Sequence, residues 1–293
     1  MIITMMWFGT FMVLTFLPKF SPYSATQLEG ITEQSPMALI STVVIVQGLL
    51  SIFIFLIPAL LFSYLAHPKP AEYLGLRTPG KNIQLLLVIL VMLGAMPLLQ
   101  MIEGFVSHIN FGAKVKAEQA ASDSMYSAFL HLPTFASFIR TFIVIAIIPA
   151  VGEEMFFRGV LMRFVKKKSR NMVVPVLFTA MVFSYSHTNV YGYLSIFLAG
   201  VLLAVIYNIT GSLWCSIVAH MFFNGSQVIL SYLGNNNAAV KAFLSNESVP
   251  VYYIICGALV FGISFYLLLK NKTPLPANWA DDFTAEELSR NPT

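Results

Sequence analysis

The sequence predicts an all-α integral membrane protein, a polytopic bundle of about eight transmembrane helices. Composition supports this fold class, because 57% of the 293 residues are hydrophobic and only 10% are charged. Soluble domains carry about 25% charged residues. The apolar residues also occur in runs of the ~20 residues that an α-helix needs to cross a bilayer. Basic residues concentrate in alternate loops between these runs, as in membrane proteins with a fixed orientation.

The apolar stretches that meet the length requirement lie near residues 1–18, 37–66, 82–102, 137–162, 172–188, 190–208, 211–233 and 250–270. The first is short, but it lacks the basic start and the Ala-x-Ala cleavage pattern of a signal peptide, so we interpret it as a span. The loop from 103 to 135 has polar and small residues at loosely helical spacing, which indicates an amphipathic segment on the membrane. The tail after Thr273 is polar and acidic, and we expect a solvated or flexible end there.

The basic loops determine the predicted orientation. Lysines and arginines cluster at 67–81, at 163–170 and, after the last span, at Lys270 and Lys272. With eight spans these segments fall on one side, which the positive-inside rule makes cytoplasmic, together with both termini. Because the short chain carries no organelle-targeting signal, we expect it in a bacterial plasma membrane.

Charge and cysteine usage exclude other classes of protein. The net charge of +4 is small and scattered, which argues against nucleic acid as a partner. Cys215 and Cys256 both lie in apolar runs, where cysteine behaves as a small buried hydrophobe. They predict neither a disulfide framework nor a zinc knuckle. The lipid bilayer is therefore the first partner that the sequence predicts.

Few charged residues and histidines lie deep inside the predicted spans, where a charged side chain costs about 2.5–3.5 kcal/mol on insertion scales. Together with one amide, they are Glu153, Glu154, Arg158, His187, His220 and Asn224. At 1.5 Å per residue, Glu153 and His187 lie about 18 Å from the cytoplasmic ends of their spans, and His220 about 14 Å. Three helices thus place polar groups at nearly the same depth.

Helical spacing separates the two adjacent glutamates. Glu154 and Arg158 are four residues apart and share a helix face, whereas Glu153 points about 100° away from Glu154. One carboxylate then pairs with the arginine while the other faces a cavity. The ion pair alone has a structural explanation, because buried charges are normally paired.

Two further pairs show the same four-residue spacing. His220 and Asn224 present two polar groups to one place, and Phe183 and His187 share a face so that the ring packs beside the imidazole. Each pair alone is also typical of hydrogen bonds that hold membrane helices together. Their convergence with the glutamates at one depth favours a reaction centre.

The rest of the sequence excludes several hydrolase chemistries. It contains no Gly-x-Ser-x-Gly elbow, no His-Glu-x-x-His and no Gly-rich phosphate loop. The remaining set suits activation of a water molecule, with Glu153 as general base and His187 orienting the water. His220 and Asn224 would stabilise the oxyanion. Glu153, His187 and His220 are equally a donor set for zinc or another divalent metal, and both versions stay open.

The three motifs together resemble the CPBP family, which comprises the type II CAAX prenyl endopeptidases and related bacterial proteins of bacteriocin processing and self-immunity. They read Glu153-Glu154-x-x-x-Arg158, Phe183-x-x-x-His187 and His220-x-x-x-Asn224. The lead-in "TGSLWCSIVAHMFFN", at 210–224, is also similar to the family. On this basis the chain divides into N-terminal transmembrane helices and loops at 1–136, a protease core at 137–232, and a last span with a polar tail at 233–293.

The resemblance implies an intramembrane endopeptidase that acts on a membrane-associated peptide or protein, with its active site open to the cytoplasmic side. It implies that Glu153 activates water with His187, and that His220 and Asn224 bind the oxyanion or a metal. Two other functions stay open. One is a non-catalytic scaffold or bacteriocin-immunity factor. The other is a transporter with Glu153 and the membrane histidines as an ion pathway, although the sequence lacks a transporter's inverted repeat.

Overall fold

The computed structural model describes residues 30–187, 189–244, 249–276 and 278–281, together with residues 7, 11, 15, 21–23 and 25–28. Within these ranges the regular secondary structure is helical and includes no strand, which confirms the all-α prediction. The predicted first span at 1–18, apart from three isolated residues, lies outside the described part of the chain, and so does the stretch 282–293.

The long helices follow one another in a bundle. They are α1 (Met37–Ala66), α2 (Ile83–Ser107), α3 (Ala113–Leu130), α4 (Phe135–Lys167), α5 (Val173–Tyr185), α6 (Tyr193–Thr210), α7 (Leu213–Asn236) and α8 (Val251–Lys270). Short helices at Ala25–Leu28, Pro70–Leu74 and Ala238–Leu244 flank or join them. The helical spacing noted at 103–135 is confirmed by α3.

Six of these helices, α1, α2, α4, α6, α7 and α8, are long and apolar enough to cross a membrane. The chain is therefore a polytopic integral membrane protein, and six of the predicted spans are confirmed as candidates. A seventh predicted span corresponds to the shorter apolar helix α5.

Helix α5 is shorter than the predicted span at 172–188. It ends at Tyr185 after 13 residues, about 20 Å, whereas the hydrocarbon core of a bilayer is about 30 Å thick. The carbonyl of Phe183 accepts hydrogen bonds from Ser186 Oγ at 2.7 Å and from His187 Nδ1 at 2.9 Å. Because such side chains compete with the helix for backbone acceptors, the chain leaves the helix just before His187.

The loops that carry the basic clusters lie at one end of the bundle, which we call the basic end. Arg163, in the last turns of α4, donates from Nη1 to the carbonyl of Tyr73, in the 67–81 loop, at 2.9 Å. Lys81 Nζ lies 3.4 Å from Asn271 Oδ1, just beyond α8. The grouping on which the positive-inside prediction depends is therefore present in the fold.

The tail beyond α8 packs against the basic end. The backbone N–H groups of Thr273 and Leu275 donate to carbonyls in the last turn of α6 at 2.9 and 3.1 Å. Those carbonyls have no partner within their own helix, so the tail satisfies them. The Trp279 ring is 5.7 Å from that of Tyr207, and Trp279 is only 7% exposed. The expectation of a solvated end is therefore wrong for the described part of the tail.

Widened π-helical turns interrupt α1 and α4. They occupy Ile52–Leu56, Phe142–Ile147 and Met155–Leu161. Pro58 and Pro149 stand two residues after the first two turns. A proline inside a helix lacks an N–H donor and clashes with the carbonyl four residues before it, and a π turn accommodates both effects. The third turn directly follows the two adjacent glutamates.

Helices α2 and α8 pack through glycines. A side chain at Gly94 would overlap the backbone of Phe261, and a Cβ atom at Gly257 would lie 3.0 Å from the carbonyl oxygen of Gly94. Small residues of this kind let the backbones of membrane helices approach closely. The two helices therefore form a tight apolar pair beside the central helices α4, α6 and α7.

Candidate active site

A buried ion pair lies at the centre of the bundle, within α4. Arg158 Nη1 is 2.6 Å from Glu154 Oε1, and both side chains are 0% exposed. Arg158 also donates from Nη2 to the carbonyl of Gly200, on α6, at 2.9 Å. The pairing predicted from the four-residue spacing is confirmed. Charges this deeply buried persist only when paired and hydrogen-bonded, and this pair meets that condition.

Glu154 has two more donors, both from α7. Ser216 Oγ donates to Oε2 at 2.5 Å, and His220 Nδ1 lies 2.9 Å from Oε1. With Arg158, three donors from two helices therefore surround this carboxylate. A carboxylate satisfied in this way is fixed in place and is poorly suited to taking up a proton from a substrate.

Glu153 is in a different state, although it is the next residue. It is 8% exposed, and its Oε2 lies 3.9 Å from His220 Nε2. That distance is too long for a hydrogen bond. Within the described ranges, this buried oxygen has no hydrogen-bond partner. Glu153 is therefore the carboxylate whose buried oxygen is still open to a hydrogen bond from a further polar group.

His220 lies between the two carboxylates, with Nδ1 towards Glu154 and Nε2 towards Glu153. Hydrogen positions on a histidine ring are assigned from its partners. A carboxylate 2.9 Å away assigns a hydrogen to Nδ1, because the carboxylate can only accept. The fixed carboxylate thus orients the imidazole so that its other nitrogen faces Glu153.

The ring of Phe183 connects three of the predicted site residues. The Arg158 guanidinium lies 4.8 Å from the ring centroid, within cation–π range. The rings of His187 and His220 lie 4.9 and 5.8 Å away. His187 therefore belongs to the same cluster, but it reaches the cluster through an aromatic ring and not through a hydrogen bond to Glu153.

Asn224 contacts the site through a backbone carbonyl of α4. Its Nδ2 donates to the carbonyl of Ile145, in the π turn of α4, at 3.1 Å. The side chain is half-buried. The predicted set thus divides into a directly bonded centre, a histidine behind Phe183, and an amide that binds the helix carrying the glutamates.

The donors predicted for a metal do not converge. Among the described residues, no group of three or more His, Cys, Asp or Glu side chains is placed to hold a metal ion. Glu153 and His220 approach each other, but His187 packs on the ring of Phe183 and does not complete the three-ligand set that zinc requires. Glu154 is occupied by its three donors. The residues as arranged do not fit zinc, and a divalent metal stays a prediction.

Two residues that contact the ion pair were not predicted from the sequence. Ser216 is four residues before His220, so the spacing that paired other residues would also have placed it on the active face of α7. Gly200 contributes only a carbonyl, and a Cβ atom there would lie 3.1 Å from the Phe183 ring. No side-chain chemistry in the sequence indicates a residue of this kind.

A protein-family model matches the segment that forms this site. Residues 135–226 match the family model described as type II CAAX prenyl endopeptidase Rce1-like. The match runs from the first residue of α4 into α7 and contains every residue of the candidate site. No curated protein and no solved structure matches the chain. The match supports membership of the CPBP family and, in general terms, an intramembrane CAAX-type endopeptidase.

Proposed function

We propose, from the membership of this chain in the CPBP family, that it cleaves membrane-associated peptides or proteins with an activated water molecule. The observation that carries this proposal is the unequal state of the adjacent carboxylates. Glu154 is bonded to three donors, whereas Glu153 Oε2 is buried beside His220 without one among the described residues. Glu154 therefore has a structural role, and Glu153 is available as a base.

Glu153 acts as the general base in this proposal. Its Oε2 and His220 Nε2 are 3.9 Å apart, a separation at which one water molecule reaches both atoms at about 2.8 Å. The water oxygen attacks the carbonyl carbon of the peptide, and its proton moves to Glu153. The C–N bond then breaks, and Glu153 returns the proton to the leaving nitrogen. One water is consumed, and a carboxylate and an amine are released.

The two histidines suit different parts of this reaction. Nδ1 of His187 donates to the carbonyl of Phe183, so Nε2 of the neutral ring carries the lone pair, and we assign to it the role of orienting the water. His220 donates from Nδ1 to Glu154, and in its protonated form Nε2–H donates to the oxyanion. The second amide hydrogen of Asn224 is assigned to the same oxyanion.

The position of the site restricts the substrate. The centre is enclosed by α4, α5, α6 and α7, so the peptide must reach it from the bilayer or from the bilayer edge. A CAAX-type peptide is the first substrate to test, because the matching family is described by that class. We further propose that the basic end and both termini face the cytoplasm of a bacterial cell. Zinc or another divalent metal is an alternative, and a chelator experiment in the Discussion tests it.

Cleavage of a fluorogenic peptide panel, which includes a farnesylated CAAX peptide, tests the proposal on purified detergent-solubilised protein. We expect Glu153→Gln to lower kcat by about 10²–10⁴-fold, the usual contribution of a general base. Its melting temperature should stay at the wild-type value, because Glu153 Oε2 makes no hydrogen bond within the described ranges. Glu118→Gln, on the exposed face of α3, is the matched control and should retain full activity.

A wild-type rate in Glu153→Gln would contradict the mechanism. Absence of cleavage by the wild type over the whole panel would favour the non-catalytic scaffold or immunity factor. A transporter would instead show ion flux in proteoliposomes that changes with the same substitution. These results separate the three functions that the sequence leaves open.

A further inference from the structure

The carbonyl of Ile145 lacks the donor that a regular helix would supply. In an α-helix each carbonyl accepts from the N–H group four residues later, which for Ile145 is the position of Pro149. Proline has no N–H group, and its ring pushes against that same carbonyl. The π turn at Phe142–Ile147 widens the helix at this point. To the extent that such a carbonyl is shielded from water, the missing donor costs up to about 1–3 kcal/mol.

Asn224 supplies a donor to this carbonyl from another helix. Its Nδ2 lies 3.1 Å from the carbonyl oxygen of Ile145. The next residue on α7 is Gly225, where a Cβ atom would lie 2.8 Å from the Phe142 ring and 3.6 Å from Ala146 Cβ. The absence of a side chain at Gly225 therefore lets α7 approach the widened turn closely enough for the amide to reach it.

We propose that Asn224 is a positioning residue, which replaces the hydrogen bond that Pro149 removes and thereby fixes the turn of α4 that carries Glu153. Pro149 and Glu153 are four residues apart, one helical turn, so the direction of the chain at the proline sets the position of the carboxylate. This role is additional to any contact of Asn224 with substrate. It rests on the proposed function of Glu153 as the reacting base.

The opposite side of the same turn is held by α1. A Cβ atom at Gly152 would lie 3.3 Å from both the backbone nitrogen and Cβ of Leu56. Helix α4 is thus in contact with α1 just before Glu153, and its opposite side faces α7. The hydrogen bond from Asn224 restricts this direction. A base displaced by about 1 Å loses about 100-fold in rate.

A double-mutant cycle between Asn224 and Pro149 tests the proposal. Asn224→Ala should lower kcat by about 100-fold and the melting temperature by about 3–6 °C. Pro149→Ala restores an N–H group to the helix. In the double variant N224A/P149A the melting temperature should therefore return to within about 2 °C of that of P149A, and kcat should recover at least tenfold over N224A. The double variant N224A/P97A is the matched control, because Pro97 lies inside α2, and it should show no recovery.

Two other results overturn the proposal, each in a recognisable way. Additive losses of melting temperature in N224A/P149A would mean that Asn224 does not replace the deleted hydrogen bond. Recovered stability with kcat still at the N224A level would mean that Asn224 acts only by direct contact with the substrate. If the wild type cleaves no peptide, the proposed function fails, but the melting temperatures still decide whether the two residues are coupled.

Discussion

Two of the helix pairs that pack closely at a glycine in this protein use the contact differently. In the pair α2–α8, Gly94 and Gly257 bring two apolar helices together, and the contact carries no ionisable group. In the pair α4–α7, Gly225 makes room for the side chains of Phe142 and Ala146, and the same surface contains the buried ion pair and His220. Close packing is therefore a property of the whole bundle, and it becomes a reaction site only where polar groups are placed within it.

The prolines in the two pairs differ in the same way. Pro97 lies inside α2, where the helix stays regular, and it packs on Gly257 of α8. Pro149 follows a π turn in α4, and its missing hydrogen bond is replaced by Asn224. The apolar pair thus tolerates a proline by packing against it, whereas the polar pair links the proline to a side chain of the candidate site.

The largest effect on stability is expected in the pair α4–α7, because only that pair contains the buried ion pair. Arg158→Met leaves the fully buried Glu154 without its cation, and breaking a buried ion pair costs about 3–5 kcal/mol of unfolding free energy. Denaturant unfolding in detergent micelles measures this loss. The double variant E154Q/R158M removes both charges and should recover most of it. A double variant no more stable than R158M would show that the charge imbalance is not the cause.

A smaller effect is expected from steric change in the apolar pair. Gly94→Val overlaps the backbone of α8 and should lower the unfolding free energy by about 1–3 kcal/mol. The rate of cleavage per folded molecule should be unchanged, because α2–α8 carries none of the candidate site. Gly104→Val, in α2 but with no atom within 4 Å of its Cβ position, is the control. A loss of kcat in G94V alone would indicate that the two pairs are coupled.

The smallest effect is expected from metal removal. Because the described donors do not form a group of three or more, 1,10-phenanthroline and EDTA should leave the peptidase rate at the untreated value. The rate is measured after dialysis against each chelator, with a zinc-dependent peptidase as the positive control. Loss of activity that added zinc restores would contradict this expectation and would require the donors to rearrange around the ion.

The sequence predicts the bundle and the pairing of the ion-paired glutamate because both signals are local. Long apolar runs mark the helices, and four-residue spacing pairs Glu154 with Arg158, as confirmed by their contact. What it misses depends on contacts between distant segments. The end of α5 at Tyr185 is set by side chains that compete for one carbonyl, and the partner carbonyl of Gly200 belongs to another helix.

The relation between His187 and His220 is a further case. Both lie at similar predicted depth, and depth alone places them side by side. In the structure the ring of Phe183 contacts both, which depends on how the fold brings α5 and α7 together. The direct neighbour of both carboxylates is His220, and no spacing within a single helix predicts that.

The packing of the tail against α6 affects the order in which parts of the protein can fold during synthesis. The carbonyls at the end of α6 receive their donors from Thr273 and Leu275, and both residues are synthesised after α8. The last span must therefore be synthesised before Thr273 and Leu275 can bond to the end of α6. Until then, water at the membrane surface must donate the hydrogen bonds to those carbonyls. The same late segment also completes the core around α4 and α7, because Trp279 and Ala280 belong to one buried cluster with residues of both helices.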